Sequence, residues 1–307
     1  MKYAISLLSL YLFVSTYVVA APQEPSKEIQ SKIKQLTKKS WFSGAKDCSI
    51  DNNKAIEVYQ YNANSYILRQ NKCLHYEAPF IYLLIGSEKA LLVDTGATKS
   101  AKDFPLAQTI QAILASKAQA SKKPLELLVA HSHSHSDHIA ADSQFTDIAK
   151  VISANNLTEV TKTFRLPQWP NNLANFDLGD RKITVIPSPG HQKEAISFYD
   201  PQTQWLLTGD TFYPGRLYTR QWQDYVKTIA RLVEFSTSHK ISAILGAHIE
   251  MSAQNGVDYP TGSKYQPYEA SLVLTVEDLK TLNQQLVKLG NEAKRVKLDK
   301  FIIYPVD

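Results

Sequence analysis

Between residues 131 and 138 the chain reads His131-Ser-His133-Ser-His135-Ser-Asp137-His138, directly after an apolar run from Leu125 to Ala130. A short apolar run of this kind reads as a buried strand. Along an extended segment alternate residues point the same way. His133 and His135 are therefore expected to grip one cation while Asp137 and His138 turn toward a second. Imidazole and carboxylate donors suit zinc, and iron or manganese also fit. The alternative is a serine- and histidine-rich loop sitting in water. The remainder of the chain opposes it by supplying further ligands.

Those ligands stand at other strand ends. His191 follows Val185-Ile186-Pro187-Ser188-Pro189-Gly190, Asp210 follows Trp205-Leu206-Leu207-Thr208-Gly209, and His248 follows Ile244-Leu245-Gly246-Ala247. In each case a glycine within the approach lets the backbone turn sharply and present a side chain at the rim of a sheet. Singly, each is an ordinary loop residue. Jointly, with the 133–138 segment, they make a metal shell.

The rest of the pattern predicts α/β architecture. Strands are expected over 55–61, 65–69, 80–85, 90–94, 125–130, 150–154, 182–187, 195–199, 205–207, 241–245 and 301–306. Helices are expected over 103–118 and 221–235, where apolar residues recur at helical spacing. Thr275 with Asp278 forms an N-cap signature for a third helix, whose face is Leu279, Leu282, Leu286 and Leu289, and Gly290 fits its end. The first strands arrive as hairpins, so the sheet is mixed rather than purely parallel.

Read in order, the His-x-His-x-Asp-His segment at 133–138, Pro189-Gly190-His191, Thr208-Gly209-Asp210-Thr211 and Gly246-Ala247-His248 resemble the metallo-β-lactamase-fold hydrolase superfamily. Leu91-Leu92-Val93-Asp94-Thr95-Gly96 resembles the first motif of that family. The resemblance spans about residues 55–250. It implies an αββα sandwich of two mixed β-sheets flanked by helices, with two divalent metal ions on one edge. By motif position, one ion would take His133, His135 and His191. The other would take Asp137, His138 and His248. Asp210 would bridge them, and Asp94 would orient ligands. Asp94 as a simple turn residue is the alternative. His131 does not fit the motif and is expected at the strand end or behind the ligands. His75 and His239 fall outside every motif.

A pair of cations lowers the pKa of a bound water and neutralises a developing oxyanion. The implied activity is hydrolysis of an ester, lactone, thioester or amide, with Asp137 both ligating and relaying a proton. Asp210 separates this chain from the zinc β-lactamases that have cysteine there. It resembles more closely the glyoxalase II and lactonase branches, although the C-terminal region lacks the basic glutathione-binding pattern. A β-lactam ring is an alternative substrate. An alternative of another class is a non-catalytic metal-binding protein that kept the fold. Tyr213, Arg216 and Tyr218 follow Asp210 and are expected to border a small-molecule substrate.

Lys2 followed by an apolar stretch from Ala4 to Val19, with Val18-x-Ala20, reads as an export signal cleaved after Ala20. The stretch is short for an uncleaved anchor. The expected product is periplasmic or secreted, with no stable membrane insertion. A signal peptide over 1–20, a polar arm over 21–45, a hydrolase domain over 46–250 and a C-terminal loop, helix and strand over 251–307 are the expected divisions. The net charge is +5, and lysines are scattered apart from Lys27, Lys32, Lys34, Lys38 and Lys39, which read as a solvated helix. A nucleic-acid binder would concentrate its basic residues on one face. Cys48 and Cys73 are the two cysteines. An exported pair invites a disulfide, and two separate buried thiols are the alternative.

Overall fold

The computed structural model describes residues 26–121, 124–154 and 156–306. The expected leader over 1–20 and the start of the 21–45 arm lie outside the described residues. The described part of the arm opens with a helix, α1 (Lys27–Thr37), capped by the Ser26 hydroxyl and packed inward through Leu36, and continues without regular structure.

A first mixed sheet follows. Strands β1 (Ile56–Asn62), β2 (Ser65–Gln70), β3 (Phe80–Ile85) and β4 (Lys89–Val93) run antiparallel in sequence order. Helix α2 (Leu106–Ser121) then crosses over, so β5 (Glu126–Ala130) lies parallel to β4, and β6 (Lys150–Val151) is parallel to β5. Between β5 and β6 stands a single helical turn, α3 (Ser136–Ile139). Helix α4 (Leu157–Thr163) leads to the second sheet. Its strands are β7 (Ala174–Asp177), β8 (Lys182–Pro187), β9 (Ile196–Asp200), β10 (Trp205–Gly209), β12 (Ala243–Gly246) and β13 (Val273–Leu274), in the spatial order 13-12-10-9-8-7. The strand β11 (Arg216–Thr219) and the helix α5 (Trp222–Ser238) fall between β10 and β12, and α6 (Val276–Leu289) follows β13. A small third sheet joins β11 to β14 (Val296–Lys297) and β15 (Ile302–Pro305) in the order 11-15-14.

Side-chain alternation turns these sheets into layers. Ile67, Tyr82, Leu84, Leu91 and Val93 face Val185, Phe198, Trp205 and Leu207 in one buried cluster, which fills the space between the two sheets. Their sequence neighbours Leu68, Ile81, Leu83 and Leu92 point the other way and bury Leu106 and Ile110 of α2. On the far face of the second sheet, Ile186, Leu206 and Ile244 meet Ile229 and Leu232 of α5 and Leu279, Leu282 and Leu286 of α6. Period-two strands with apolar residues on both faces therefore need helices outside and another sheet inside. The expected αββα sandwich is what forms. Arg181 fastens the two sheets at one end: it pairs with Asp200 at 2.6 Å and donates to the carbonyls of Asn64 and Ile85.

The site-bearing strands finish on one rim. Parallel pairing matches Val93 with Ala130, so Asp94 and His131 leave the first sheet side by side. Parallel pairing of β10 with β12 matches Gly209 with Gly246, so Asp210 and His248 leave the second sheet together. The sheets are knit there by Ile196 N donating to Ser132 O at 2.8 Å and Phe80 N donating to Ala247 O at 2.8 Å. Gly209 is required at this crossing. Its φ is +52°, and a Cβ on it would stand 2.4 Å from Ser132 Cβ.

The Thr275 capping box forms, with Asp278 answering the Thr275 backbone N–H. Cys48 and Cys73 are joined as a disulfide. The 251–307 region carries the helix α6 and three short strands. It supplies β13 to the second sheet and, through β15, pairs in parallel with β11.

Candidate metal centre

Seven side chains converge at this rim in two groups. His133, His135, His191 and Asp210 form one, and Asp137, His138 and His248 form the other; within each group the donor atoms lie within 4.8 Å of one another. His135 Nδ1 is 2.9 Å from both His133 Nε2 and His191 Nε2. Asp210 Oδ1 is 3.4 Å from His138 Nε2, and Asp210 Oδ2 is 3.8 Å from His133 Nε2, so the carboxylate reaches both groups. Asp137 Oδ2 stands 3.2 Å from His138 Nε2 and 3.3 Å from His248 Nε2.

The outer ring nitrogens fix which way the lone pairs point. His191 Nδ1 meets the Tyr218 carbonyl at 2.7 Å, and His248 Nδ1 meets the Glu77 carbonyl at 3.1 Å. His138 Nδ1 meets Asp94 Oδ2 at 2.9 Å. Carbonyls and carboxylates only accept, so each of these Nδ1 atoms carries a proton. In a neutral ring the opposite Nε2 is then a bare lone pair aimed inward, the arrangement of a metal-ligating histidine. His133 is set similarly, with Nδ1 against Ser132 Oγ at 3.1 Å while that hydroxyl donates to Asp94 Oδ2 at 2.9 Å. Asp210 Oδ1 is buried and makes no hydrogen bond. A buried, unsatisfied carboxylate oxygen among inward lone pairs is costly unless a cation occupies the centre. The donor set, nitrogen and oxygen without sulfur, fits a divalent metal.

Electrostatics divides the two groups. Burial holds His133 and His135 below the ordinary imidazole range and His191 down at about 4, so these rings are neutral, the ligating form. Burial also opposes charge on His138 and His248, but Asp137 and Asp210 outweigh it and raise both. Asp210, despite its burial, is held well below the usual carboxylate range by His248 and His138. Positive charge is thus demanded beside Asp137 and Asp210, whether from protons or from a cation.

Asp94 is the organiser. Its Oδ1 accepts from Ser132 N at 2.7 Å, and its Oδ2 takes both Ser132 Oγ and His138 Nδ1. Its φ is +69°, a left-handed conformation that aspartate tolerates better than most residues. His131 lies behind the candidate ligands: Nδ1 meets Ile152 O at 3.0 Å and Nε2 meets Asp142 Oδ1 at 2.8 Å.

A cavity of about 300 Å³ opens over the two groups. Tyr213 and Tyr218 line it. The Tyr213 hydroxyl is tied to the Arg216 carbonyl, and its ring sits 5.6 Å from that of His248. Arg216 is turned elsewhere, to Glu250 at 3.0 Å and Asp258 at 2.9 Å. Five further wall residues escape sequence reasoning: Glu77, Arg220, Glu250, Thr261 and Val306. No motif marks them. Arg220 and Glu250 stand two residues beyond Tyr218 and His248, and that proximity was the available signal. From the chain after His248, Glu250 and Thr261 reach the cavity.

The family model of the metallo-β-lactamase superfamily matches residues 77–248. The chain belongs to that superfamily. Among curated proteins, human (Homo sapiens) acyl-coenzyme A thioesterase MBLAC2 is 28% identical over 203 residues, 55% of this chain and 72% of that protein. Hydroxyacylglutathione hydrolase of Bartonella henselae is 32% identical over 90 residues, 28% of this chain and 36% of that protein. The structure of TMB-1 aligns with a TM-score of 0.50 at 15% identity, covering 78% of this chain and 100% of that one. The inverting sec-alkylsulfatase Pisa1 from Pseudomonas sp. aligns with a TM-score of 0.50 at 13% identity, covering 88% and 55%. These two likenesses show the fold. With relatives that are hydrolases, the chain is an enzyme of that class.

Proposed function

We propose that this chain is an exported hydrolase that holds two divalent metal ions, zinc by its donor set, and cleaves an acyl thioester or a related ester, lactone or amide. The observation that carries the reading is the inward aim of the Nε2 atoms of His191, His138 and His248 toward Asp210, whose buried Oδ1 makes no hydrogen bond. His133, His135 and His191 would hold one ion, Asp137, His138 and His248 the other, and Asp210 both. Such ions supply Lewis acidity and an activated water at neutral pH. Asp137 is partly open to the cavity and presents a carboxylate to accept a proton from the attacking water. Tyr213 closes the floor beside His248 and keeps bulk solvent from that side. The activities named for MBLAC2 and hydroxyacylglutathione hydrolase support an acyl group carried on sulfur.

Export is supported by the leader-like N-terminus and by the disulfide, since such bridges persist in oxidising compartments. The test is to count metal in the purified protein and assay thioesters, homoserine lactones and nitrocefin with and without chelator. Turnover lost on chelation, restored by zinc and absent in His133→Ala is expected. Two bound ions with no turnover of any substrate would instead favour a binding protein on this fold. Nitrocefin as the preferred substrate would move the assignment to a β-lactamase.

A further inference from the structure

The wall of the cavity carries charge that the chain itself leaves unanswered. Arg220 lines the cavity on the side of His135, whose ring feels its charge, and its backbone N–H is pinned to Gly190 O beside His191. Among the described residues, no carboxylate lies within ion-pair distance of its guanidinium, and the side chain is exposed. Glu77 lines the same cavity on the opposite half, where its carbonyl anchors His248. Its carboxylate has no ion-pair contact among the described residues, although the buried Lys72 ammonium feels its charge. Of the other wall carboxylates, Glu250 is already bound to Arg216, and Asp137 and Asp210 face the histidines of the candidate metal centre. So the cavity offers one unpaired cation over the His133–His135–His191 group and one unpaired anion over the Asp137–His138–His248 group.

We propose that Arg220 and Glu77 select a small zwitterionic substrate, with a carboxylate or phosphate seated on Arg220 and an ammonium on Glu77. The scissile acyl group would then lie between them, above Asp210. A planar guanidinium recognises carboxylate and phosphate in fork geometry. A carboxylate recognises an ammonium through a charge-assisted hydrogen bond. A cavity of about 300 Å³ holds a molecule of roughly dipeptide size. This selection rests on the hydrolase reading for its meaning, yet it can be tested separately by binding.

The experiment titrates the zinc-loaded protein calorimetrically with four ligands: alanyl-alanine, its N-acetyl derivative, its C-terminal amide, and the N-acetyl amide. Wild type should bind the zwitterion tightest. Loss of either charge on the ligand should weaken binding about tenfold, the scale of one charge-assisted contact. Arg220→Gln should erase the preference for the free carboxylate alone, and Glu77→Gln the preference for the free amine alone. Both variants should keep the metal content and melting temperature of wild type. Equal binding of all four ligands, binding of none, or preferences that persist in the variants would overturn the proposal. Turnover of the uncharged propanoyl thioester of ethanethiol by wild type reports separately on the hydrolase reading.

Discussion

Asp94, which follows β4, and His138, in the α3 turn beyond β5, meet at 2.9 Å, and through that contact the first motif of the chain orients a candidate ligand in the second. The same carboxylate holds the Ser132 amide and hydroxyl, so one side chain positions two neighbouring stretches of the site.

Replacing Asp94 with alanine should therefore act on metal affinity before it acts on the fold. Loss of such an orienting partner costs 10- to 100-fold in affinity, roughly. Competition with a coloured chelator reads the change, and an unchanged far-ultraviolet dichroism spectrum shows that the sandwich persists. An Asp94→Ala protein that binds zinc as tightly as wild type would remove Asp94 from the site.

The Arg181–Asp200 pair is buried on both sides, with Asp200 also accepting from Thr203. Removing one partner strands a buried charge, so Arg181→Met should destabilise by about 3–5 kcal/mol, and adding Asp200→Asn should recover part of it. Burial pushes the Asp200 carboxyl up, but Arg181 and Thr203 hold it below the ordinary range. A carboxyl lowered in the folded state stabilises above its unfolded pKa of about 3.9, and this contribution is lost as pH falls through the folded value. Acid denaturation midpoints of wild type and the double variant, compared by tryptophan fluorescence, check the sign.

Lys72 gives the opposite limb. Burial lowers its ammonium to about 8, beside Arg69 and against Glu269 at 3.6 Å. Unfolded, it keeps its proton to about 10.4, so between those values the unfolded chain binds the proton more tightly and stability rises with pH. Below about pH 8 both states are charged and the burial penalty is constant. The stability gap between Lys72→Met and wild type should therefore shift in favour of wild type as pH rises from 8 to 10, measured by urea midpoints.

The Cys48–Cys73 bridge closes a separation of 25 residues. Chain-entropy arguments put its loss at about 3 kcal/mol. The Cys48→Ala/Cys73→Ala protein should melt earlier than wild type, and reductant should lower the melting point of wild type alone. Because Cys73 lies four residues before the Glu77 carbonyl that holds His248, zinc should also leave the reduced protein faster. Equal zinc release before and after reduction would limit the bridge to a role in stability.

The candidate ligands were legible as a group because they sit in short motifs at or just beyond strand ends, where apolar runs and glycines betray position. The layers followed from alternation, as with Ile81 and Tyr82 facing opposite sides of β3. What escaped was carried by backbone or by distance. The Glu77 and Tyr218 carbonyls that aim His248 and His191 have no side-chain signature. Short elements such as α4, β7, β11 and β13 hold too few residues for a period to emerge. Arg216 and Arg220 are alike in sequence, and only the fold turns one into a buried pair with Glu250 and the other toward the cavity.

The parallel docking of β15 on β11, which brings Val306 to the cavity wall, has a bearing on biogenesis. Every candidate ligand is already synthesised once His248 emerges, yet the enclosure around them is unfinished until β15 docks on β11. Competence to bind substrate should thus arrive late and all at once.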